Sequence, residues 1–233
     1  KGLIPKSRSM DVAEDLRGWN WHHPPIEPAH DVALGVWEGA GRYCPTARDL
    51  YLRRVIGIRP PASSAMQAGQ LFHAVVVEVL TRAKQLLYAH GPERYHGVPD
   101  ALAKPDLAPL FERVFSGRAG GSPAAPNGDG SVPQRGAEDR ALREQAERLW
   151  QFEARRVSAR IEEVLSRHPH VGVDALVSLA IPVVLEQKLD GRCLGLSPHL
   201  SVDGLIMGEP LVVDLKFGEP REFHVLTLTG YAL

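Results

Sequence analysis

"SVDGLIMGEPLVVDLKFGEPREF", residues Ser201 to Phe223, contains two apolar runs on either side of a Met-Gly-Glu-Pro turn. Apolar runs of this kind around a short turn that contains Gly predict two antiparallel strands joined as a hairpin. Each run nevertheless contains an aspartate, Asp203 in the first and Asp214 in the second, and Lys216 follows two positions later. Charged residues inside strands that otherwise look buried require a physical explanation.

The register of the hairpin supplies one. If Met207 and Pro210 pair at the ends of the turn, counting outward along both strands brings Asp203 opposite Asp214. Residues paired in this way face the same side of a sheet, with Cβ atoms about 4.5–5.5 Å apart. Because side chains alternate along a strand, Lys216 faces that side as well. A turn of odd length would break this register.

Two opposed carboxylates repel each other, and burying them adds a desolvation cost. A divalent cation between them removes both penalties, and carboxylate oxygens suit Mg²⁺ or Mn²⁺. Lys216 beside such a site can orient a water molecule or stabilise charge on a phosphate. The set is typical of metal-assisted phosphodiester hydrolysis. The alternative is a solvated polar face on which Lys216 neutralises one aspartate.

The bulk composition is ordinary for a globular protein. The chain has 233 residues, of which 44% are hydrophobic and 24% charged, enough for one sizeable domain or one domain with a small appendage. It has 27 basic and 28 acidic residues, which argues against a histone-like binder but allows a local basic groove. Without a signal peptide or an apolar run long enough to cross a bilayer, we expect a cytoplasmic protein with no membrane partner.

The N-terminal part is predicted to be an irregular arm followed by a short helix. Residues 1–40 are dense in Pro and aromatic residues, and residues 43–57 form a helical pattern with Thr46 as N-cap. A metal site is the less favoured interpretation of three histidines in the arm, because their spacing does not aim them together. They are His22, His23 and His30.

The remaining patterns predict an α/β or α+β domain. Ser63 to Gly91 and Glu138 to Arg167 have helical apolar spacing, and residues 116–136 between them predict a flexible loop. Strand-like runs begin after Val171, and the last residues return to helical spacing. We divide the chain into an N-terminal arm and helix (1–62) and a core (63–233). Because the helical pattern is still running at the last residue, we expect a fragment that lacks its C-terminal portion.

Four motifs in this order resemble a known family. Asp203 with Asp214-Leu215-Lys216 resembles the D…(D/E)-x-K pattern of PD-(D/E)xK nucleases, and "GQLFH" (Gly69 to His73) resembles the Gly…His element of their RecB-like branch. "RGWNWHHPP" and "GRYCPTARDLYLRRV" resemble the CRISPR-associated RecB-like exonucleases, in particular the archaeal type I-A Csa variant. The similarity runs from about Arg17 to the last residue.

The resemblance implies a restriction-endonuclease-like α/β core, with a central mixed sheet flanked by helices and a helical N-terminal part. It implies metal-dependent cleavage of DNA, mainly exonucleolytic on single strands, that prepares fragments for CRISPR spacer acquisition alongside the integrase proteins. His73, Asp203 and Asp214 would be metal ligands, the Leu215 carbonyl would be a fourth, and Lys216 would be catalytic. An imidazole among oxygen ligands favours Mn²⁺ over Mg²⁺.

Two features depart from the family pattern. The RecB-like branch usually has Gln-x-x-x-Tyr after the lysine strand, whereas here Tyr231 is preceded by Thr227 at the glutamine position. Members commonly bind a 4Fe-4S cluster with one N-terminal and three C-terminal cysteines. Cys44 fits the first position, but Cys193, read as a core residue, does not fit the others. Two cysteines cannot supply four thiolates, so a cluster is expected only if further cysteines exist.

DNA is expected to approach along the sheet edge that carries the hairpin. The candidate contacts are cationic side chains together with one aromatic residue that can stack. They are Arg48, Arg53, Arg54, Lys188, Arg221 and Tyr231. Two other functions stay open: an endonuclease or flap trimmer of the same fold, and a non-catalytic subunit that holds DNA ends for the integrase.

Overall fold

The structure, a computed structural model, describes residues 33–41, 44–58, 62–116, 132–192, 195–206, 208–209 and 211–232. They fall into two compact units. The hairpin unit comprises the described residues within Lys1–Pro60, Val184–Asp214 and Glu219–Leu233. The helical unit comprises those within Pro61–Val183 and Leu215–Gly218. The predicted division at residue 62 into arm and core stays a prediction.

The described elements alternate little between helix and strand, because most helices precede the sheet. In chain order they are α1 (Val36–Gly41), α2 (Arg48–Arg54), α3 (Ser64–His90), a 3-10 helix (Pro92–Gly97), α4 (Val98–Leu102), α5 (Ala108–Phe115), α6 (Val132–Arg167), α7 (Val173–Ala180), β1 (Val183–Leu189), β2 (Leu200–Ile206), β3 (Leu211–Val213) and α8 (Glu222–Ala232).

Helix α3 is the centre of the helical unit, in contact with α4, α5, α6 and α7. Its apolar positions recur at helical spacing, and Leu71, Val75 and Val79 are fully buried. The Ser63 hydroxyl accepts a hydrogen bond from the Met66 backbone N–H at the N-terminus, and Gly91 adopts a positive φ of 70° at the other end. The helix predicted from these residues is confirmed.

The long helix α6 packs against α3 and is fixed to α4 by a buried tryptophan. Trp150 is fully buried, and its indole N–H donates to the Leu102 carbonyl at 2.7 Å. The helix begins at Val132 and not at Glu138 as predicted, because a proline in the first turn is compatible with a helix. Residues 117–131 of the predicted loop lie outside the described residues.

The sheet of the hairpin unit has the strand order β1-β2-β3. In the described residues it is a small antiparallel sheet and not the central mixed sheet that was predicted. The reason is the short connections: a parallel pair needs a crossover, usually a helix, and no helix lies between β1 and β2 in the described chain. The described chain is therefore a mostly helical α/β protein, and the restriction-endonuclease-like core stays a prediction.

Helix α8 closes the hairpin unit by packing on α1 and on β3. The predicted helical pattern near the end of the sequence is thus confirmed. The predicted N-cap of α2 is wrong: Ala47, in a left-handed conformation with φ 53°, precedes the helix. The Thr46 hydroxyl lies 3.1 Å from the Cys44 sulfur instead.

Within the residues that the structure describes, we find no helix whose length and hydropathy would let it span a bilayer.

The contact between α8 and α1 requires a glycine at position 230. A Cβ on Gly230 would lie 2.5 Å from Cγ1 of the buried Val36. We expect Gly230→Ala to destabilise the fold by about 1–2 kcal/mol, because overpacking exceeds the gain in helix propensity. Gly69→Ala in α3 is the matched control, since a Cβ there meets nothing within 4 Å. Equal midpoints of urea unfolding for the two variants would contradict this.

Candidate metal and nucleic-acid site

The two aspartates lie at the end of the β2–β3 ladder. The paired residues are Gly204 with Val213, Leu205 with Val212, and Ile206 with Leu211. This is the register predicted from the sequence, and continuing it by one residue brings Asp203 opposite Asp214. Both aspartates are half-buried.

The phenol of Tyr231 on α8 is within electrostatic range of both carboxylates. Burial raises the pKa of Tyr231, and the negative charges of Asp214 and Asp203 raise it further. Tyr231 is thus affected by the charges of both aspartates, which the register pairs across the hairpin. Oδ2 of Asp214 is also buried from solvent.

Thr227, at the position of the family glutamine, has a structural role. It is 3% exposed, and its hydroxyl donates to the Phe223 carbonyl one turn earlier at 2.9 Å. A side chain that is buried and bonded to its own helix is not available to a DNA strand. The departure from Gln-x-x-x-Tyr therefore reflects the packing of α8.

The predicted catalytic Lys216 and the predicted metal ligands His73 and Leu215 belong to the helical unit. The ring of Phe217 packs on that of Phe72, with 5.5 Å between centroids. Their chain neighbours Lys216 and His73 consequently lie in the same part of this unit. Lys216 is exposed, whereas His73 is half-buried with its Nε2 atom shielded from solvent.

The donor set of the hairpin unit fits a hard divalent cation. Two carboxylates on one face supply the oxygen ligands that Mg²⁺ and Mn²⁺ prefer, and Mg²⁺ often keeps several waters beside one or two carboxylates. Across the described ranges, no group of three or more His, Cys, Asp or Glu side chains has metal-binding geometry. The roles of His73 and of the Leu215 carbonyl as further ligands stay predictions, as do the roles of Asp203 and Asp214.

Two of the predicted DNA-binding arginines are engaged with an acid on α1. The Glu38 side chain is only 2% exposed and accepts from Nε of Arg54 at 2.9 Å, from a second Arg54 nitrogen, and from the Gly35 backbone N–H at 2.8 Å. Arg53 lies 3.9 Å from Glu38 and 3.6 Å from Asp49. These contacts join α1 to α2.

The remaining cationic candidates are exposed. Arg48 lies at the start of α2, Lys188 in β1, and Arg221 just before α8. Their contacts with DNA stay predictions. Cys193 and the three arm histidines lie outside the described residues.

Sequence reasoning missed Glu38 and Trp37. The guanidinium of Arg53 lies over the Trp37 ring, 4.7 Å from its centroid. Glu38 and Arg54 are sixteen residues apart, and no local spacing rule links an acid on one helix to a base on the next. The only signal in the sequence was the density of arginines in α2.

Comparison with known proteins gives the family. The chain matches the family model of CRISPR-associated exonuclease Csa1 over residues 1–106 and 134–233. The chain belongs to the Csa1 family. It is 30% identical to a CRISPR-associated exonuclease Csa1 of Thermoproteus tenax over 223 residues, which are 96% of this chain and 65% of the relative. It is 28% identical to one of Saccharolobus solfataricus over 232 residues, 98% of this chain and 68% of the relative.

The chain thus spans about two thirds of the length of these two Csa1 relatives. No solved structure shows a significant match to it. Membership of the Csa1 family confirms the resemblance to the CRISPR-associated Csa exonucleases. The PD-(D/E)xK pattern on which the site residues were chosen stays a prediction. The family is described as a CRISPR-associated exonuclease.

The ion pair between Glu38 on α1 and Arg54 on α2 makes stability depend on pH. Burial raises the pKa of Glu38, but hydrogen bonds from Arg54 and Gly35 and the charges of Arg54 and Arg53 bring it below its usual value. The stabilisation is therefore present at neutral pH and lost as the pH falls through this lowered pKa. We expect Glu38→Gln to lower the free energy of unfolding by about 1–3 kcal/mol at neutral pH.

The difference between Glu38→Gln and the native chain should shrink at an acidic pH below the lowered pKa of Glu38, where the native carboxylate is protonated. Glu163→Gln is the control, because Glu163 also contacts two arginines but at the solvent-exposed surface, where ion pairs contribute little to stability. Denaturant melts at both pH values measure this. A difference that does not change with pH would contradict the assignment.

The Cys44 thiol should react as a thiolate near neutrality. A hydrogen bond with the Thr46 hydroxyl, and further ones from the backbone of Thr46, Arg48 and Asp49, lower the pKa of Cys44 to about 7. In a Cys193→Ser background, we expect the rate of iodoacetamide alkylation to rise with a midpoint near that pH. Thr46→Val should move the midpoint upward; the same midpoint in both proteins would contradict the role of Thr46.

Proposed function

We propose that the chain is a divalent-metal-dependent deoxyribonuclease that degrades single-stranded DNA from an end. We further propose that it prepares fragments for CRISPR spacer acquisition and works with the integrase proteins. The observation that carries the proposal is the hairpin register, which brings Asp203 opposite Asp214. Membership of a family described as CRISPR-associated exonuclease supports it.

The proposed roles follow from the chemistry of each side chain. Asp203 and Asp214 would hold the cation, joined by His73 and the Leu215 carbonyl. When bound, Mg²⁺ or Mn²⁺ would polarise the phosphodiester and lower the pKa of a water molecule. Lys216 is an exposed residue whose ammonium has three N–H donors, and it would stabilise the negative charge that grows on a phosphate oxygen.

Tyr231 acts in its neutral form. Burial, and then the charges of Asp214 and Asp203, raise the pKa of its phenol, so the hydroxyl keeps its proton at neutral pH. A neutral phenol donates a hydrogen bond and is not a general base. We therefore propose that Tyr231 donates to a phosphate oxygen or stacks with a base.

The test is hydrolysis of end-labelled single-stranded DNA in Mn²⁺ or Mg²⁺. We expect Asp214→Asn to lower the rate at least about 10²-fold, because the variant removes one of two charges that hold the cation. Glu209→Gln is the matched control: Glu209 lies in the turn of the same hairpin but is exposed, and it should keep the native rate. Chelation of the metal should abolish activity in both.

Three outcomes separate the alternatives. Equal rates for Asp214→Asn and the native chain would overturn the proposal. Cleavage of circular single-stranded DNA would indicate the endonuclease, since an exonuclease needs an end. DNA binding without turnover in any divalent metal would favour the subunit that holds DNA ends.

A further inference from the structure

A cavity of about 570 Å³ lies in the hairpin unit beside the α1–α2 pair. Its wall includes the apolar side chains of Leu34 and Leu50, the Trp37 ring, Asp49 and Arg53. The volume falls within the range of about 300–1,000 Å³ that is usual for small-molecule sites. Neither aspartate of the candidate metal site is among its described lining residues, so the cavity is distinct from the aspartate pair.

Trp37 gives the cavity an accessible aromatic wall. Its side chain is 42% exposed, although tryptophan is usually well buried. The Arg53 guanidinium, 4.7 Å from the ring centroid, holds the ring in place by a cation–π contact. An aromatic surface that is fixed in advance loses little entropy when a planar ligand stacks on it.

Among the described residues, the charges around the cavity cancel. Glu38 is neutralised by Arg54, and Asp49 lies beside Arg53. The distance of 3.6 Å between Asp49 and Arg53 is longer than a hydrogen bond, so both groups keep hydrogen-bonding capacity. In its described lining, the cavity has an aromatic wall with an acceptor and a donor at its edge, which suits an uncharged planar ring with polar edges better than a phosphate.

We propose that this cavity binds one unpaired base of single-stranded DNA, stacked on the exposed part of Trp37, with Asp49 and Arg53 at its polar edge. The inference rests on the proposed function and adds which part of the DNA substrate the protein recognises, namely one unpaired base. A base inside a duplex has its faces and its pairing edge occupied, and a base of a single strand does not. The cavity would therefore select single strands.

The test measures the Kd for a short fluorescein-labelled single-stranded oligonucleotide by fluorescence anisotropy. EDTA is present so that no hydrolysis occurs. Trp37→Ala should raise the Kd about 5- to 150-fold, the range for loss of one stacked base. Trp37→Phe keeps an aromatic face and should stay within a few-fold of the native Kd. Tyr51→Ala is the matched control, because Tyr51 is an exposed aromatic residue on α2 that does not line the cavity.

An oligonucleotide of the same length made of abasic residues separates stacking from folding. The Kd of Trp37→Ala for this strand should equal that of the native chain. If Trp37→Ala weakens binding of the abasic strand as much as that of the normal one, or weakens neither, the proposal is overturned.

Cys44 lines the same cavity and tests a competing occupant. Cys44→Ser keeps a side chain of similar size and should raise the Kd for the normal strand much less than Trp37→Ala does. A loss equal to that of Trp37→Ala would mean that the cavity holds a group bound through the thiolate, and would overturn the base site.

Failure of this inference differs from failure of the proposed function. If the native chain degrades single-stranded DNA but Trp37→Ala binds that DNA equally well, the proposed base site is refuted and the proposed nuclease activity stands. A native chain that binds no DNA loses both.

Discussion

The register between β2 and β3 is the constraint on which the candidate site depends. A turn of even length joins the two strands, and the pairing from Gly204 to Ile206 continues outward to Asp203 and Asp214. A shift by one residue would send one of the two carboxylates to the opposite face of the sheet. The aspartates can bind a shared cation only as a facing pair. Two like charges on one half-buried face repel each other, and a cation or a hydrogen-bond donor offsets that repulsion.

Helix α8 gives that pair its surroundings. It packs on α1 through the close approach of Gly230 to Val36, and the next residue, Tyr231, carries the phenol that responds to both aspartates. Helix α1 is in turn tied to α2 by the buried Glu38 carboxylate. Helix α1 thus contacts both α8, which carries Tyr231, and α2, which lines the proposed base cavity. A substitution that displaces α1 would therefore alter the surroundings of the aspartates and of the cavity.

The features predicted correctly are those that depend on local sequence patterns, such as turn length and the spacing of apolar residues. The β2–β3 register follows from the turn length and the period of two, and α3 follows from apolar spacing between Ser63 and Gly91. The errors arose where a local preference lost to its context. Thr46 has a good capping side chain, but its hydroxyl lies beside the Cys44 sulfur, and Ala47 precedes the helix.

The amino-acid sequence by itself determined the hairpin, the facing aspartates and the lysine that follows them, because period and turn length suffice for these. Tertiary structure alone decided which cations are engaged. Arg54 is bound to Glu38 and Arg53 lies over Trp37, while Thr227 is buried against its own helix. Ion pairs and stacked rings between residues far apart in the chain exist only once helices have packed, and the chain order does not specify which faces meet.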